Sequence, residues 1–534
     1  MGMVECPQCG RVAALEPDVQ PFCRQCDSPL FWQLPRPPGG AAGGAGERMA
    51  VTSDPPRMLL GCPHCGYRSR VGREFCEACG TPLQPGPVRQ RRQWLAPVAE
   101  EDEATRTRRI VVQIVVLLIA LLLMAGVVLA IWLVFFRSSP WQTSTLDIGN
   151  ASWDISATLL DGRPMIAYVD SGNQAVRMLA CANTTCETRQ SSEIATSLGG
   201  SGQGHGTAIA ITEAGLPVIA FRAGETSALT VVACADLACA DATSSQVDPP
   251  PDAAGDEARD AGYDPSITIG ADGLPLISYW DRARRALMAA HCADPSCRAA
   301  STSRLTPAPE ATDEDVPVGG DTAVAVGVST PMIAFRNENP TRLDLLSCAD
   351  SACTTGKIVT LVPRVDQPNS TNLLPGYENS IVTDAQGFAI VAYHDRSDDG
   401  IYVVRCLDEA CTDVVRNEIV TTDDAFHSEP SIALLNGNPV VAFRSTPRGD
   451  ESGRRVLSIV RCGDVSCSRK SEPEVVDGGP PGRLERAWTV LSRQPPQLVG
   501  RVGYSPSVRV TPGRRIVIAY GDATTGALKL AVSR

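Results

Sequence analysis

The stretch DGRPMIAYVD, residues 161–170, decides the fold of this chain, because it recurs six more times with small changes. Each copy is a tight turn followed by a short apolar run that closes on an aromatic residue. The other copies are EAGLPVIAFR (213–222), DGLPLISYWD (272–281), STPMIAFR (329–336), QGFAIVAYHD (386–395), NGNPVVAFR (436–444) and GRRIVIAYGD (513–522). Short apolar runs between turn residues are typical of buried strands, and seven units of this size predict a β-propeller.

Each unit predicts one blade, a meander of four strands. An alternating strand precedes the apolar strand, a third strand such as ALMAAHC (286–292) follows it, and a fourth comes after a cysteine pair. The seventh unit ends in GALKLAVSR (526–534) without a fourth strand, whereas WQTSTLDIG (141–149) stands alone before the first unit. We therefore predict an all-β, seven-bladed propeller over residues 137–534, in which this N-terminal strand completes the last blade and removes the open edges.

Six units close their third strand with a Cys-x4-Cys pair. Four residues between two cysteines make a hairpin loop, so the two sulfurs face each other on adjacent strands and predict a disulfide worth about 2 kcal/mol. Metal binding is the alternative, but a zinc shell needs two pairs to converge, and separate blades hold them apart. The predicted disulfides are Cys181–Cys186, Cys234–Cys239, Cys292–Cys297, Cys348–Cys353, Cys406–Cys411 and Cys462–Cys467.

The N-terminal part uses a different spacing, Cys-x2-Cys, which bends the backbone so that both sulfurs face one metal ion. Four such pairs predict two zinc ribbons, at residues 1–34 and 58–84, each with one structural zinc ion. A redox-active reading would need a thioredoxin-like βαβ context, which the sequence lacks. The predicted ligands are Cys6, Cys9, Cys23 and Cys26 in the first ribbon and Cys62, Cys65, Cys76 and Cys79 in the second.

These two segments, CPQCG…FCRQCDSPL and CPHCGYRSRVGREFCEACGTPL, resemble the double zinc ribbon domains of bacterial membrane and regulatory proteins. The resemblance covers only the N-terminal part and implies structural zinc and contact with a cytosolic protein partner. Nucleic acid is disfavoured, because residues 1–81 carry eight arginines and eight acidic residues and are neutral. Residues 35–57 and 85–109 are predicted linkers, the first rich in Pro, Gly and Ala, the second ending in a basic flank.

Residues 110–136 predict one transmembrane helix. The segment has Gln113 as its only strongly polar residue and is longer than a bilayer core of about 30 Å requires, and a buried core helix is the alternative. Arginines are concentrated before the segment, so the N-terminus is predicted to be cytoplasmic and the propeller extracytoplasmic, in a single-pass protein of the cell membrane. Cysteine usage agrees, because thiols stay reduced in the cytosol and pair outside it. These arginines are Arg89, Arg91, Arg92, Arg106, Arg108 and Arg109, against Arg137 alone on the other side.

The strand that ends in the closing aromatic carries a second signature. Odd blades continue with an aspartate and even blades with an arginine, and the loops entering the blades alternate as well. We predict that these residues share one face and form a candidate ligand face. Its members are Trp153, Asp170, Tyr263, Asp281, Tyr377, Asp395, Tyr504 and Asp522 from odd blades, and His205, Arg222, Asp321, Arg336, His427 and Arg444 from even blades.

Three functions of this face remain open from sequence alone. Aspartates and arginines of neighbouring blades could pair to hold the ring together. Aromatic and charged groups could instead bind a glycan or a peptide. The three arginines are also similar to the arginine triad of sialidases, which implies a glycan-processing hydrolase, although no S-x-D-x-G-x-x-W box occurs.

The charge of the propeller region limits its partners. Residues 138–534 carry 33 basic and 48 acidic residues, a balance of −15, which argues against nucleic acid or an anionic lipid surface as a partner. The repeats are symmetric, whereas catalysis needs a distinct set of residues. We therefore predict a binding or scaffold protein for an extracellular protein or glycan, not an enzyme, with a sialidase-like cell-surface hydrolase as the alternative.

Overall fold

The structure is a computed structural model. It describes residues 2–5, 12–15, 59–70, 74–76, 78–81, 83, 108, 111–124, 126, 139–148, 153–195, 206–248, 260–307, 318–328, 330–338, 341–363, 374–421, 427–447, 453–478 and 500–534. The chain divides into two compact units, one of Met1–Leu34 with Ser138–Arg534 and one of Pro35–Arg137.

Seven four-stranded antiparallel sheets confirm the predicted propeller, and each sheet is one blade. Blades one to three contain β6 (Trp153–Leu160), β7 (Arg163–Asp170), β8 (Ala175–Cys181) and β9 (Arg189–Ala195); β10 (Thr207–Ile211), β11 (Pro217–Ala223), β12 (Ala228–Cys234) and β13 (Ala242–Asp248); β14 (Tyr263–Ile269), β15 (Pro275–Asp281), β16 (Ala286–Cys292) and β17 (Ala300–Arg304). Blades four to six contain β18 (Val318–Val326), β19 (Pro331–Glu338), β20 (Thr341–Cys348) and β21 (Gly356–Val362); β22 (Tyr377–Thr383), β23 (Ala389–Asp395), β24 (Gly400–Cys406) and β25 (Val414–Val420); β26 (His427–Leu435), β27 (Asn438–Ser445), β28 (Val456–Arg461) and β29 (Glu474–Asp477).

Blade seven is completed by the N-terminal strand, as the sequence predicts. It contains β30 (Val502–Val510), β31 (Ile516–Asp522) and β32 (Ala527–Ser533), and its outermost strand is β5 (Trp141–Ile148). Strand β5 pairs antiparallel with β32, from Trp141 opposite Ser533 to Ile148 opposite Ala527. The ring is therefore closed by the two ends of the propeller sequence, which leaves neither end as an open sheet edge.

The core lies between the blades and is built mainly from the second and third strands. In β23 every residue from Ala389 to Asp395 is buried, as expected for an apolar run that is covered on both faces. The first strands face the central channel, and their serines link neighbouring blades. Ser266 accepts a hydrogen bond from the Val324 backbone N–H at 3.1 Å, and Ser507 accepts one from Ala157 at 3.0 Å.

All six predicted disulfides form, each between the end of a third strand and the loop that follows. Their Cα–Cα distances are 4.7 to 4.8 Å, within the usual range. The second cysteine of each pair has a positive φ; in Cys186, for example, φ is 56°. An Asp or Asn inside each loop caps the turn, as Asp464 does by accepting the backbone N–H of Ser468 at 2.9 Å.

The described residues of the N-terminal part form two short hairpins and one helical segment. The hairpins are β1 (Gly2–Glu5) with β2 (Val12–Leu15), and β3 (Leu59–Gly61) with β4 (Arg68–Arg70). Residues 111–124 are helical. Within the described part of the chain, no helix has the length and apolar character needed to cross a bilayer. The rest of the predicted span, residues 110, 125 and 127–136, lies outside the described residues, as do Cys6, Cys9, Cys23 and Cys26 of the first predicted ribbon.

Candidate functional site

Five carboxylates occupy equivalent positions at the start of the first strands, around one mouth of the central channel. We call them the acidic ring. Each has a positive φ between 46° and 55° and lies at or beside an irregularity where the strand breaks register with its neighbour. The same position is taken by Gly206 in blade two and Ser505 in blade seven, also at positive φ. The members of the acidic ring are Asp154, Asp264, Asp321, Glu378 and Glu429.

Hydrogen bonds connect members of the acidic ring from blade to blade. The Asp321 backbone N–H donates to Asp264 Oδ2 at 3.1 Å, and the Glu429 N–H donates to Glu378 Oε2 at 2.7 Å. The Ser505 N–H donates to Glu429, and Ser505 in turn accepts the Asp154 N–H at 3.2 Å. These bonds fix Asp264, Glu378 and Glu429 in one orientation, because each of their side chains accepts a hydrogen bond from the backbone of the next blade.

Two ring carboxylates have a pKa that is raised toward neutral pH. Burial raises the pKa of Asp154 to about 6, although a backbone hydrogen bond from Gly206 opposes the shift. Burial and then the charge of Asp321 raise the pKa of Asp264 to about 7. Asp321 itself is paired with Arg336, whose Nε lies 2.5 Å from Asp321 Oδ2. Asp264 and Asp321 are thus adjacent carboxylates, one able to hold a proton and one beside a fixed positive charge.

Blades five and six contain a second pair with separated pKa values. Burial acts to raise the pKa of Glu378, but the hydrogen bond and charge of His394 outweigh it and lower that pKa to about 2. His394 Nδ1 lies 3.4 Å from Glu378 Oε2. Burial raises the pKa of Glu429, against the opposing charge of Arg444, whose Nη2 is 2.9 Å from Glu429 Oε1. Neighbouring carboxylates with separated pKa values are the usual arrangement for general acid and base catalysis.

Below the acidic ring, the first strands enclose a central cavity of about 380 Å³. Its lining is formed by serine, threonine and aliphatic side chains together with Asn379 and Arg509. The carboxylates of the ring are not part of this lining. The channel therefore has an acidic mouth and a largely uncharged interior.

The predicted ligand-face arginines and tyrosines meet each other across the blade boundaries. The Arg222 guanidinium lies over the Tyr263 ring at 4.4 Å, Arg336 lies over Tyr377 at 4.1 Å, and Arg444 lies over Tyr504 at 4.1 Å. In each case the arginine of an even blade stacks on the tyrosine of the next odd blade. Each arginine also pairs with a carboxylate, at Asp260, Asp321 and Glu429 respectively. These arginine contacts hold the blades together by cation–π interaction and ion pairing.

The sialidase-like arginine triad does not assemble as one clamp. The three guanidiniums lie in blades two, four and six, and each is committed to its own tyrosine and carboxylate. Tyr504 is fully buried, and Tyr377 lies between Arg336 and Arg396, whose guanidinium is 3.9 Å from the ring centre. The positions of these rings suit packing between blades.

The four predicted aspartates serve the turn from the second strand to the third. Asp170 Oδ1 accepts the Gly172 N–H at 3.1 Å, and the equivalent oxygens accept backbone N–H groups in the other odd blades. His427 is buried with its ring edge against Phe443, and burial lowers the pKa of His427 to about 4. Trp153 opens β6, and His205 lies outside the described residues. The other three aspartates are Asp281, Asp395 and Asp522.

Sequence reasoning missed four of the five members of the acidic ring, although a signal for them exists. A short motif recurs as WDIS (153–156), YDPS (263–266), YENS (377–380), SEPS (428–431) and YSPS (504–507), and its second position enters the ring. The sequence pattern places Asp321 and His427 as the even-blade counterparts of the tyrosines. Strand pairing shows that Gly320 and Ser428, not these two residues, are equivalent to Tyr263.

One of the two predicted metal shells lies within the described residues. The sulfurs of Cys62, Cys65, Cys76 and Cys79 all lie within 4.8 Å of one another, with Cys62 to Cys79 and Cys65 to Cys76 each at 3.6 Å. A tetrahedral zinc ion with Zn–S bonds of about 2.3 Å needs sulfurs roughly 3.8 Å apart. Gly66 and Gly80 close the two knuckles at φ of 74° and 71°. This cluster could hold a metal ion.

Comparison with known proteins gives no family for this chain. No protein-family model matches the chain, and no curated protein matches its sequence. A PL25 ulvan lyase bound to -[GlcA(1-4)Rha3S]- matches with a TM-score of 0.49 and 10% identity, over 72% of this chain and 94% of that one. A Penicillium chrysogenum α-L-arabinanase complexed with arabinobiose has a TM-score of 0.38 and 11% identity, over 61% and 92%. A Lactobacillus brevis α-L-arabinofuranosidase has a TM-score of 0.31 and 12% identity, over 50% and 88%. At these identities the likeness concerns the fold.

These neighbours correct two predictions. The matched solved structures include polysaccharide lyases, arabinanases and an arabinofuranosidase, which favours the glycan-processing alternative over the predicted binding or scaffold role and over the statement that the chain is not an enzyme. The symmetry of the repeats had indicated that no distinct set of catalytic residues exists. The ring positions are equivalent in the backbone, but their partners differ from blade to blade, which makes the site chemically asymmetric.

Proposed function

We propose that the propeller is a glycan-processing enzyme that hydrolyses glycosidic bonds at the acidic ring. The observation that supports the proposal is the pair of adjacent carboxylates Asp264 and Asp321 at the start of the first strands of blades three and four. Glycoside hydrolysis uses two carboxyl groups, one as a proton donor and one ionised. Asp264 suits the donor, since its pKa is raised to about 7 by burial and by the charge of Asp321. Asp321, 2.5 Å from Arg336, suits the ionised partner.

The environment would keep the two roles separate through the reaction. Asp264 protonates the leaving oxygen, and Asp321 acts on the opposite side of the sugar as the base for water or as the nucleophile. The Asp321 N–H holds Asp264 Oδ2 at 3.1 Å, which leaves the other oxygen of Asp264 to carry the proton. Arg336 keeps Asp321 in place, because the guanidinium both pairs with the carboxylate and stacks on Tyr377.

Charge favours a neutral glycan as the substrate. The propeller region has a balance of −15. A polyanionic chain would be repelled from a domain of this charge, whereas neutral sugars are not. This preference departs from the sialidase-like alternative, whose substrate is an acidic sugar.

The proposal is tested by incubating the purified full-length chain with neutral and acidic polysaccharides. New reducing ends report hydrolysis, and absorbance of an unsaturated uronate would report elimination instead. Asp264→Asn and Asp321→Asn should each lower the hydrolysis rate at least ~100-fold, the lower end of what a general acid or base contributes. Asp161→Asn, at an exposed turn between β6 and β7, is the matched control and should leave the rate unchanged. Wild-type rates in both ring variants, or no hydrolysis of any neutral glycan, would reject it.

We also propose a location for the propeller and a role for the cysteine cluster. Six disulfides support an oxidising compartment for the propeller, and the arginines before residue 110 support a cytoplasmic N-terminus on a single membrane span. The four thiols at 62–79 fit a structural zinc ion, and the spacing of Cys6, Cys9, Cys23 and Cys26 supports a second. A membrane-impermeant maleimide should leave the N-terminal cysteines unlabelled in intact cells and label them once the membrane is permeabilised and zinc is chelated.

A further inference from the structure

Arg509 is the one charged residue among the described residues that line the central cavity. It lies near the end of β30, four residues after Ser505, which holds the ring position in blade seven. At about 3.3 Å per residue along a strand, Arg509 is roughly 10 Å or more from the acidic mouth. The arginine therefore belongs to the interior of the channel and takes no part in the proposed hydrolytic site.

Arg509 has little compensation for its charge. Its Nη1 donates to the carbonyl of Val508 at 2.7 Å, and no carboxylate of the described residues forms an ion pair with it. Burial alone lowers the pKa of Arg509 to about 10, so the guanidinium remains protonated at neutral pH. Arg509 is half-buried, and a partly buried charge without a counter-charge is destabilising. An anion beside the guanidinium would remove that cost.

The other blades leave room for such an anion. By strand register, the residues equivalent to Arg509 are all short, so no second long side chain competes for the space. Hydroxyl groups of first-strand serines and threonines line the same cavity, which has a volume of about 380 Å³. That volume is sufficient for a small oxyanion with several water molecules. The equivalent residues are Thr158, Ala210, Thr268, Ala325, Val382 and Ala433.

We propose that the central cavity binds a small free inorganic oxyanion, of the phosphate or sulfate class, at Arg509. The guanidinium supplies a planar set of N–H donors that suits two oxyanion oxygens at once. The propeller region has a charge balance of −15, which disfavours a polyanionic chain at this site relative to a small free ion. The bound anion stabilises the ring of blades by neutralising the channel interior.

The test titrates the full-length chain with sodium phosphate or sodium sulfate at constant ionic strength, adjusted with sodium chloride. Isothermal titration calorimetry should give a saturable isotherm with one site per chain, and the melting temperature should rise with the logarithm of the anion concentration above the same dissociation constant. Arg509→Met should lose the saturable part of both signals, and Arg509→Lys should weaken the affinity by about tenfold while keeping one site, because a point charge replaces the planar fork. Arg514→Met removes an exposed charge from the neighbouring turn and should behave as wild type.

Two results would overturn the proposal. One is the absence of any saturable component in the wild-type chain. The other is an equal affinity in Arg509→Met, which would place the anion elsewhere. If Arg509→Met fails to fold, the lysine variant decides, since unchanged affinity in that variant also rejects a bidentate guanidinium site. Displacement of the ion by an acidic oligosaccharide at equal or lower concentration would assign the site to a glycan substituent and reject a free inorganic ion.

Discussion

Tyr279 of blade three donates a hydrogen bond of 2.6 Å from its hydroxyl to Asp248, the last residue of the outermost strand of blade two. Tyr168 makes the same contact with Asp147 of β5 at 2.5 Å, and Tyr520 makes it with Asp477 at 2.7 Å. These tyrosines close the second strands of odd blades, whereas even blades carry phenylalanine there. The hydroxyl therefore fastens an odd blade to the outer edge of the preceding even blade or, at the closure, to the strand that completes the ring.

Tyr279→Phe should destabilise the propeller. The substitution leaves Asp248 buried with only its remaining partners, which include Arg284 at 2.8 Å, so we expect a loss of about 1–3 kcal/mol in the free energy of unfolding. Urea denaturation of the full-length chain measures it. Tyr67→Phe, at a half-exposed ring outside the propeller, provides the control. Equal unfolding midpoints for the two variants would show that the hydroxyl contact contributes nothing.

Local patterns made most of the propeller predictable. Strand alternation, turn residues and the six cysteine pairs all lie within one blade, so spacing alone placed them. The last unit lacks a fourth strand after Ser533, and one strand at Trp141 has no unit of its own, so their pairing could be predicted from the sequence. Each of these features depends on residues that are close together in sequence or belong to the same repeat.

The acidic ring could not be predicted in the same way, because it depends on where each first strand breaks register. At Asp264 and Glu378 a positive φ and an irregular pairing turn the carboxylate to the channel, and neither is visible in residue type alone. The sequence shows the alternation of arginine and aspartate between blades, but it does not show which contacts these residues make. The arginines meet tyrosines of the next blade, and the aspartates cap turns of their own blade.

Asp264→Asn should stabilise the protein at alkaline pH while it removes activity. The folded-state pKa of about 7 lies above the ordinary value near 4, so folding favours the neutral acid, and this contribution is lost as the pH rises through 7. At pH 8 the free energy of unfolding of the variant should exceed that of the wild type by roughly 2–4 kcal/mol, with no gain at pH 4. Thermal melts across this range measure the effect. A gain of equal size at both pH values would contradict the raised pKa.

The proposed reaction should slow as the pH rises above about 7. Hydrolysis requires Asp264 to hold a proton, and that proton is lost through its pKa of about 7, so kcat/KM should fall about tenfold per pH unit on the alkaline side. Initial rates on a neutral glycan from pH 5 to 9 give the profile. Asp161→Asn should keep the same alkaline limb. A rate that stays level from pH 7 to 9 would exclude Asp264 as the proton donor.

Gly206 holds the ring position of blade two because no larger residue fits there. A Cβ at this glycine would lie 2.6 Å from the Cδ of Pro265, at a φ of 39°. Gly206→Ala should therefore lower the free energy of unfolding by about 1–3 kcal/mol. Gly437→Ala, at a positive φ but with open space around it, isolates the backbone cost and should lose only about 1 kcal/mol. If the two variants have equal stability, the contact with Pro265 is not what restricts this position.

The cysteine cluster at 62–79 should bind one zinc ion through thiolates alone. Cys76→Ser removes a buried ligand of the shell, and because such small modules depend on metal for folding, we expect the full-length chain to lose one zinc equivalent. Inductively coupled plasma mass spectrometry of the purified chain gives the metal content, and a chelator competition gives the affinity. His64→Ala is the matched control, since His64 lies exposed between Cys62 and Cys65 and could otherwise serve as a ligand. Loss of zinc from the histidine variant, or full zinc content in Cys76→Ser, would contradict a shell of four sulfurs.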